Sequence, residues 1–154
     1  MTRLLHHRNL PLMLLQAREA VLAQFRPILT RHGLTEQQWR VIRFLDEHDE
    51  LESWQVAAQC QILKPSLTGV LTRLEQMGLV ERRRSPADQR RLLVATTHRC
   101  KALIRRIAPL IEARYAQLEQ ALGSELVADL YDNLDRVLAM RFDAAPRADD
   151  GVAG

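Results

Sequence analysis

Several things are scarce in this chain, and each scarcity removes a class of protein. Cysteine occurs twice, at Cys60 and Cys100. That wide spacing makes neither a disulfide framework nor a Cys-x-x-Cys pair. Glycine is held to six positions while Leu, Ala, Arg, Gln and Glu are plentiful, a balance that favours helix. No stretch approaches the ~20 consecutive apolar residues of a membrane span. The run from Leu10 to Leu15 is short, meets Gln16, Arg18 and Glu19 at once, and lacks a small-residue cleavage site. It is not read as a secretory signal, and a cytoplasmic protein is expected. The histidines (His6, His7, His32, His48 and His98) fall in no metal-ligand spacing, so neither metal nor cofactor is expected. There is no Gly-rich phosphate loop, nucleophile elbow or paired-carboxylate constellation, which argues against an enzyme.

What is present is an uneven distribution of charge. The net charge is only +3, but Gln61 to Arg106 holds eleven Lys/Arg against three Asp/Glu. The remainder holds eleven basic and sixteen acidic residues. A basic middle between acidic flanks suits contact with a polyanion. A merely solvated charged face is the alternative.

The chain reads as a mainly α protein. Asn9-Leu10-Pro11 starts a helix that runs to about His32, with Pro27 expected to kink it and Gly33 to stop it. Its apolar residues are too many for one stripe. Leu10, Leu14, Ala17, Val21, Phe25 and Ile28 share a face, while Leu12, Leu15, Leu22 and Leu29 lie off it. Such a helix needs two partners, such as its own core and a second subunit. Thr35 and Gln38 form a capping box for a helix to about His48. Leu51-Glu52-Ser53 reads as a short extended link, with Ser53 capping a third helix through Cys60. Lys64-Pro65 opens a fourth helix with the stripe Leu67, Val70, Leu71, Leu74 and Met77, ended by Gly78. Leu79–Arg84 and Arg91–Thr96 flank the turn Ser85-Pro86-Ala87-Asp88 as a hairpin. Thr97 caps a long helix to Leu122, Gly123-Ser124 breaks it, and a last helix carries Val127, Leu130, Leu134 and Val137. The tail 143–154 has nothing to bury and is expected to be disordered.

Short helix, tight turn, one-stripe helix and basic hairpin is the order of a winged helix-turn-helix. In the fourth helix Ser66, Thr68, Gly69, Thr72 and Arg73 point away from the stripe. Short polar groups and little bulk are what a helix needs to reach base edges in a major groove. Lys64 opens that helix, and Arg82, Arg83, Arg84, Arg90 and Arg91 crowd the hairpin, suited to phosphate or the minor groove. An ordinary core helix followed by a charged hairpin is the competing interpretation.

Three separated motifs resemble the core of the MarR family of transcriptional regulators. They are Lys64-Pro65-Ser66-Leu67-Thr68-Gly69-Val70-Leu71-Thr72-Arg73-Leu74-Glu75, Gly78-Leu79-Val80, and Asp88-Gln89-Arg90-Arg91 followed by Thr97. The resemblance spans about Asn9 to Leu138. A narrower one, to repressors of homoprotocatechuate (4-hydroxyphenylacetate) degradation operons and to neisserial adhesin regulators, rests on four segments, the last of them within the first motif above. These are Leu15-Gln16-Ala17-Arg18-Glu19-Ala20, Phe25-Arg26-Pro27-Ile28, Leu34-Thr35-Glu36-Gln37-Gln38-Trp39-Arg40 and Pro65-Ser66-Leu67-Thr68-Gly69. The resemblance implies a winged helix-turn-helix over 35–96 with a two-stranded β-wing. It implies dimerisation helices over 9–32 and 97–141, a homodimer on double-stranded operator DNA, and repression relieved by a small aromatic acid. It also implies that Asp88 braces the wing by pairing with nearby arginines and that Arg90 enters the minor groove.

An aromatic carboxylate in a pocket needs a cation and a flat wall, because an unpaired buried charge is costly. Trp39 and Arg43, four apart on one helical face, can supply both. The resemblance implies that Arg18, Trp39, Arg43 and Tyr115 line such a pocket at the dimer interface. Where the hydroxyphenylacetate-sensing relatives have serine and asparagine this chain has Asn9 and Pro11, preceded by His6 and His7. A related ring such as a hydroxynicotinate therefore stands beside a hydroxyphenylacetate, with Asn9 and His7 as further candidate contacts. The alternative places Trp39 and Tyr115 in the core and both arginines on acids. Two rival functions are a thiol-oxidation sensor, through Cys60 or Cys100, and a non-specific architectural DNA binder.

Overall fold

The computed structural model describes residues 4–140. The expected tail from Asp143 lies outside the described residues. The chain divides into two compact units, with the boundary between Arg114 and Tyr115.

Helix α1 (Leu10–Arg31) begins where Asn9 Oδ1 accepts the Leu12 N–H at 3.1 Å, with Pro11 in the first turn. It runs through Pro27 as a single helix to Arg31, is capped by His32, and turns off at Gly33, whose φ is +71°. Helix α2 (Glu36–Asp46) carries the full capping box. The Gln38 N–H donates to Thr35 Oγ1 at 3.1 Å, and the Thr35 N–H donates to Gln38 Oε1 at 3.0 Å.

The next segment differs from expectation. Leu51–Glu52 is a strand, β1, and it joins the hairpin strands β2 (Val80–Arg84) and β3 (Leu92–Thr96) in one antiparallel sheet of order β1-β3-β2. The expected two-stranded hairpin is present as β2 and β3, and β1 adds a short third strand to its sheet. Leu51 pairs with Val94 and Glu52 with Leu93, so extended backbone continues through Glu52. That displaces the cap of α3 (Ser53–Gln59) from Ser53 to Glu52, whose N–H donates to Gln55 Oε1 at 2.9 Å.

Helix α3 closes as a Schellman turn, with Gln61 N–H to Ala58 O at 3.4 Å and Ile62 N–H to Ala57 O at 3.0 Å. The left-handed position is Gln61, φ +52°, where glycine is usual. Helix α4 (Lys64–Gln76) follows with Pro65 in its first turn, and it ends in the same motif with Gly78 at φ +72°. Thr97 Oγ1 donates to the Gly78 carbonyl at 2.7 Å and accepts the Cys100 N–H at 3.1 Å, so one hydroxyl closes α4 and opens α5 (His98–Leu122).

In the first unit the core gathers Val41, Ile42 and Leu45 of α2, Val56 of α3, and Leu67, Leu71 and Leu74 of α4. Val94 of β3 and Cys100 and Ile107 of α5 complete it. Each fully buried aliphatic side chain contributes roughly 1.5–3 kcal/mol. Of the α4 stripe, Val70 and Met77 are half-buried. Only Phe25, Ile28 and Leu29 of α1 are buried, while Leu10, Leu12, Leu14 and Leu15 stand exposed. In the second unit, α6 (Ser124–Ala139) has no buried residue, and Leu130 and Val137 of its stripe are exposed.

Candidate nucleic-acid interface

Packing the leucine stripe of α4 inward leaves Ser66, Thr68, Gly69 and Arg73 exposed and Thr72 half-buried. The threonine hydroxyls are turned back on the helix. Thr68 Oγ1 donates to Lys64 O at 3.2 Å and Thr72 Oγ1 donates to Thr68 O at 2.9 Å. With their protons engaged, these side chains offer methyl groups and oxygen lone pairs outward. A methyl at Gly69 would meet nothing within 4 Å.

The start of α4 faces the wing across a cleft of about 460 Å³ that also takes in the start of α3. Lys64 and Thr68 line it from α4, Trp54 from α3, and Arg82, Arg84, Arg90 and Arg91 from the wing. Arg82 and Arg84 share a face of β2 because side chains alternate along a strand, and Arg83 takes the other face. Five cations therefore line one cleft, with Glu52 as the acid among the lining residues. Ser66, Thr72, Arg73 and Asp88 lie outside that lining.

The cations are not equivalent. Arg82 is held by both oxygens of Glu75, and Arg91 is bound by Glu52, which also accepts from the Trp54 indole N–H. Outside the cleft Arg83 sits on Glu50 at 2.8–2.9 Å. Among the described residues Lys64, Arg84 and Arg90 have no acidic partner. The Arg82 hydrogen bond and charge hold the Glu75 carboxyl below its ordinary value, outweighing burial. Hydrogen bonds from Trp54 and Arg91 do the same for Glu52, against burial and the nearby charge of Asp88.

Asp88 braces the wing in a way that departs from expectation. Its Oδ1 accepts the Arg90 backbone N–H at 3.0 Å, and its carbonyl accepts the Arg91 N–H at 3.0 Å. Among the described residues no arginine side chain forms an ion pair with it. A tight turn of this kind satisfies a short acidic side chain locally, on backbone two residues on.

The effector candidates are only partly brought together. Trp39 is half-buried on α2 and Arg43 is exposed one turn further along it. Arg18 comes from α1 to the start of α2, where it pairs with Glu36 at 3.1 Å and, more loosely, with Glu19 at 3.6 Å. The oxygen of Asn9 is engaged in capping α1, and His7 is exposed. Nine helical steps put Arg18 about 13.5 Å along α1 from Asn9 and on the opposite face of the helix. Tyr115 is half-buried and belongs to the second unit.

Both cysteines are buried. Burial pushes the Cys60 thiol up, only partly offset by the charge of Arg40. Burial and the charge of Asp46 raise Cys100 to about 11, against the smaller pull of Lys101. Glu52 and Trp54, which shape the cleft, and Arg40, which ties α2 to the turn after α3, carry no local signal in the sequence. Their partners are set by tertiary contact.

The family model described as MarR family matches residues 32–91. The homoprotocatechuate degradative operon repressor of Escherichia coli is 43% identical over 134 residues, covering 87% of this chain and 90% of that protein. The crystal structure of NadR in complex with 4-hydroxyphenylacetate is similar at a TM-score of 0.80 and 41% identity, covering 92% of this chain and all of that one. The transcriptional repressor CouR, bound to a 23-mer DNA duplex, is similar at a TM-score of 0.77 and 28% identity, covering 84% of this chain and 92% of that one. These relatives are transcriptional regulators, not enzymes, and the chain belongs to the MarR family.

Proposed function

We propose that this protein is a cytoplasmic repressor that binds an inverted-repeat operator as a homodimer and is released by a small aromatic carboxylate. The observation that carries the reading is the cleft between α4 and the wing, where Lys64, Arg84 and Arg90 form no ion pair among the described residues. Cations packed together without counter-charges suit the regular negative charge of a duplex. Residues 35–96 form the reading head. Ser66, Thr68, Thr72 and Arg73 face bases or backbone from α4, while Lys64, Arg82, Arg84, Arg90 and Arg91 contact phosphate or the minor groove. Asp88 keeps the tip in shape.

The exposed leucines of α1 supply the dimer argument, since soluble monomers seldom leave a contiguous apolar strip in water. Residues 9–32 and 97–141 are assigned to that interface. The effector reading rests on the relatives and on Trp39, Arg43 and Arg18, which offer a flat wall and two cations. Asn9 and His7 are assigned to the same ligand from the N-terminal segment of the partner subunit, and Tyr115 is assigned by resemblance alone. Hydroxyphenylacetate-type and hydroxynicotinate-type acids both fit this chemistry.

Competition binding on the DNA flanking the protein's own gene tests the reading. Binding that survives excess random DNA, yields to 4-hydroxyphenylacetate or 6-hydroxynicotinate, and resists their amides is expected. Random DNA competing as well as the flanking DNA would leave an architectural binder. An amide as active as its acid would remove the carboxylate from the mechanism.

A further inference from the structure

The turn that launches α4 is tied to α2 by the Arg40 side chain, beside a weaker thiol contact from Cys60 Sγ to the Arg40 carbonyl at 3.7 Å. The Schellman closure of α3 satisfies the carbonyls of Ala57 and Ala58 and leaves those of Cys60 and Gln61 facing α2. Arg40 Nη1 donates to Cys60 O at 2.7 Å and, at the limit of a hydrogen bond, to Gln61 O at 3.5 Å. The same guanidinium grips Glu36 with its other edge, Nε to Oε1 at 2.9 Å and Nη2 to Oε2 at 2.7 Å. Oε1 of Glu36 also meets Arg18 Nη2 of α1 at 3.1 Å. An unbroken line of charged contacts thus runs from α1, through Glu36 and Arg40, to the turn three residues ahead of Lys64.

That turn needs a support. Gln61 holds a left-handed backbone with a side chain on it, a conformation that persists only when its surroundings impose it. Glu36 and Arg40 are only 21% and 29% exposed, so water screens them less than an open surface pair. Burial pushes the Glu36 carboxyl up, yet Arg40 and Arg18 together hold it below its ordinary value. A planar guanidinium reaches a carboxylate and a carbonyl at once only while the carboxylate stays in place. Arg18 helps to keep it there.

We infer that Arg40 is a positioning residue for α4, and that Arg18 sets its grip through Glu36. Resting on the proposed effector site, the second half of the inference is that an aromatic carboxylate draws Arg18 off Glu36. Arg40 then loses its fixed seat, the Cys60–Gln61 turn relaxes, and α4 leaves its DNA-reading position.

A double-mutant cycle without any effector tests the relay, using Arg18→Gln, Arg40→Gln and the double variant on operator and random duplexes. Arg40→Gln should weaken operator binding about tenfold and Arg18→Gln about fivefold, with random DNA changed little. The double variant should match Arg40→Gln alone. Effects that multiply independently, or losses shared equally by random DNA, would overturn the relay. Glu36→Gln is a near-isosteric second variant if Arg40→Gln does not fold, and it should lose operator preference like Arg18→Gln. The effector half is read with 4-hydroxyphenylacetate and 6-hydroxynicotinate. Glu36→Gln should still bind whichever acid stabilises the wild type in a thermal shift, but its residual operator binding should no longer respond. Wild-type response in that variant would overturn this half. An absence of binding by either acid to wild type would remove the effector reading, while the effector-free cycle still decides the relay.

Discussion

Glu75 of α4 and Arg82 of β2 hold each other through two bonds of 3.1 and 3.2 Å, which makes a strut between the helix and the wing. The strut restrains a cation of the cleft that would otherwise be free to follow any phosphate. Glu75→Gln should therefore raise affinity for random DNA, by removing a negative charge and releasing Arg82, while narrowing the preference for operator. A change in the operator-to-random ratio of about two- to fivefold is expected for an ion pair this exposed. Anisotropy titrations of both duplexes at one salt concentration measure it.

Gly69 separates stability from function. An added methyl meets nothing within 4 Å, and alanine in place of glycine inside a helix stabilises by roughly 0.5–1 kcal/mol. Gly69→Ala should raise the melting temperature. If the backbone of α4 approaches the major groove at this point, the same methyl should cost about tenfold in operator affinity. Higher stability with unchanged operator binding would move the close approach elsewhere on the helix.

The wing arginines should divide by their partners. Arg90 lines the cleft and, among the described residues, its guanidinium pairs with no acid, whereas Arg83 faces the other side of β2 and is held by Glu50. Arg90→Ala should lower the salt slope of operator binding by about one. Arg83→Ala should leave that slope nearly unchanged. Equal slopes for the two variants would place the phosphate contacts outside the cleft.

The local features of the fold were legible and the non-local ones were not. The Thr35–Gln38 box, the Asn9 cap, the α4 stripe and the Gly78 stop each act within a few residues, so spacing alone reveals them. Strand β1 is two residues long and exists only because Leu51 meets Val94, and that pairing moved the α3 cap from Ser53 to Glu52. The wing was legible as a dense set of arginines. Which of them are restrained depends on Glu75, Glu50 and Glu52, brought in by tertiary contact. Arg18 is left open by the sequence as an effector cation, by resemblance, or as the partner of an acid. It is held by Glu36 in the chain as it stands.

Thiol chemistry should be silent near neutral pH. Cys60 and Cys100 are both buried and both held as thiols, so hydrogen peroxide should not release DNA at pH 7–8 and alkylation of the folded protein should be slow. Cys100 also predicts an alkaline limit. Its folded value of about 11 lies above the ordinary 9.0, so the unfolded chain gives up its proton first. The stability from this group is complete below pH 9 and is lost as the pH rises toward 11. Cys100→Ala should flatten that part of the stability curve in denaturant titrations, and peroxide-induced release at neutral pH would reinstate the oxidation sensor.

The central claim, that α4 and its wing read an operator as a twofold pair, is tested most directly by selection from a pool of random duplexes, read by sequencing. Enrichment of an inverted repeat whose half-site centres lie about 10–10.5 base pairs apart, or a multiple of that, is expected. Arg90→Ala, run in parallel, should recover the same repeat at weaker enrichment. A pool that binds without enrichment, or that yields a single asymmetric site, would contradict it.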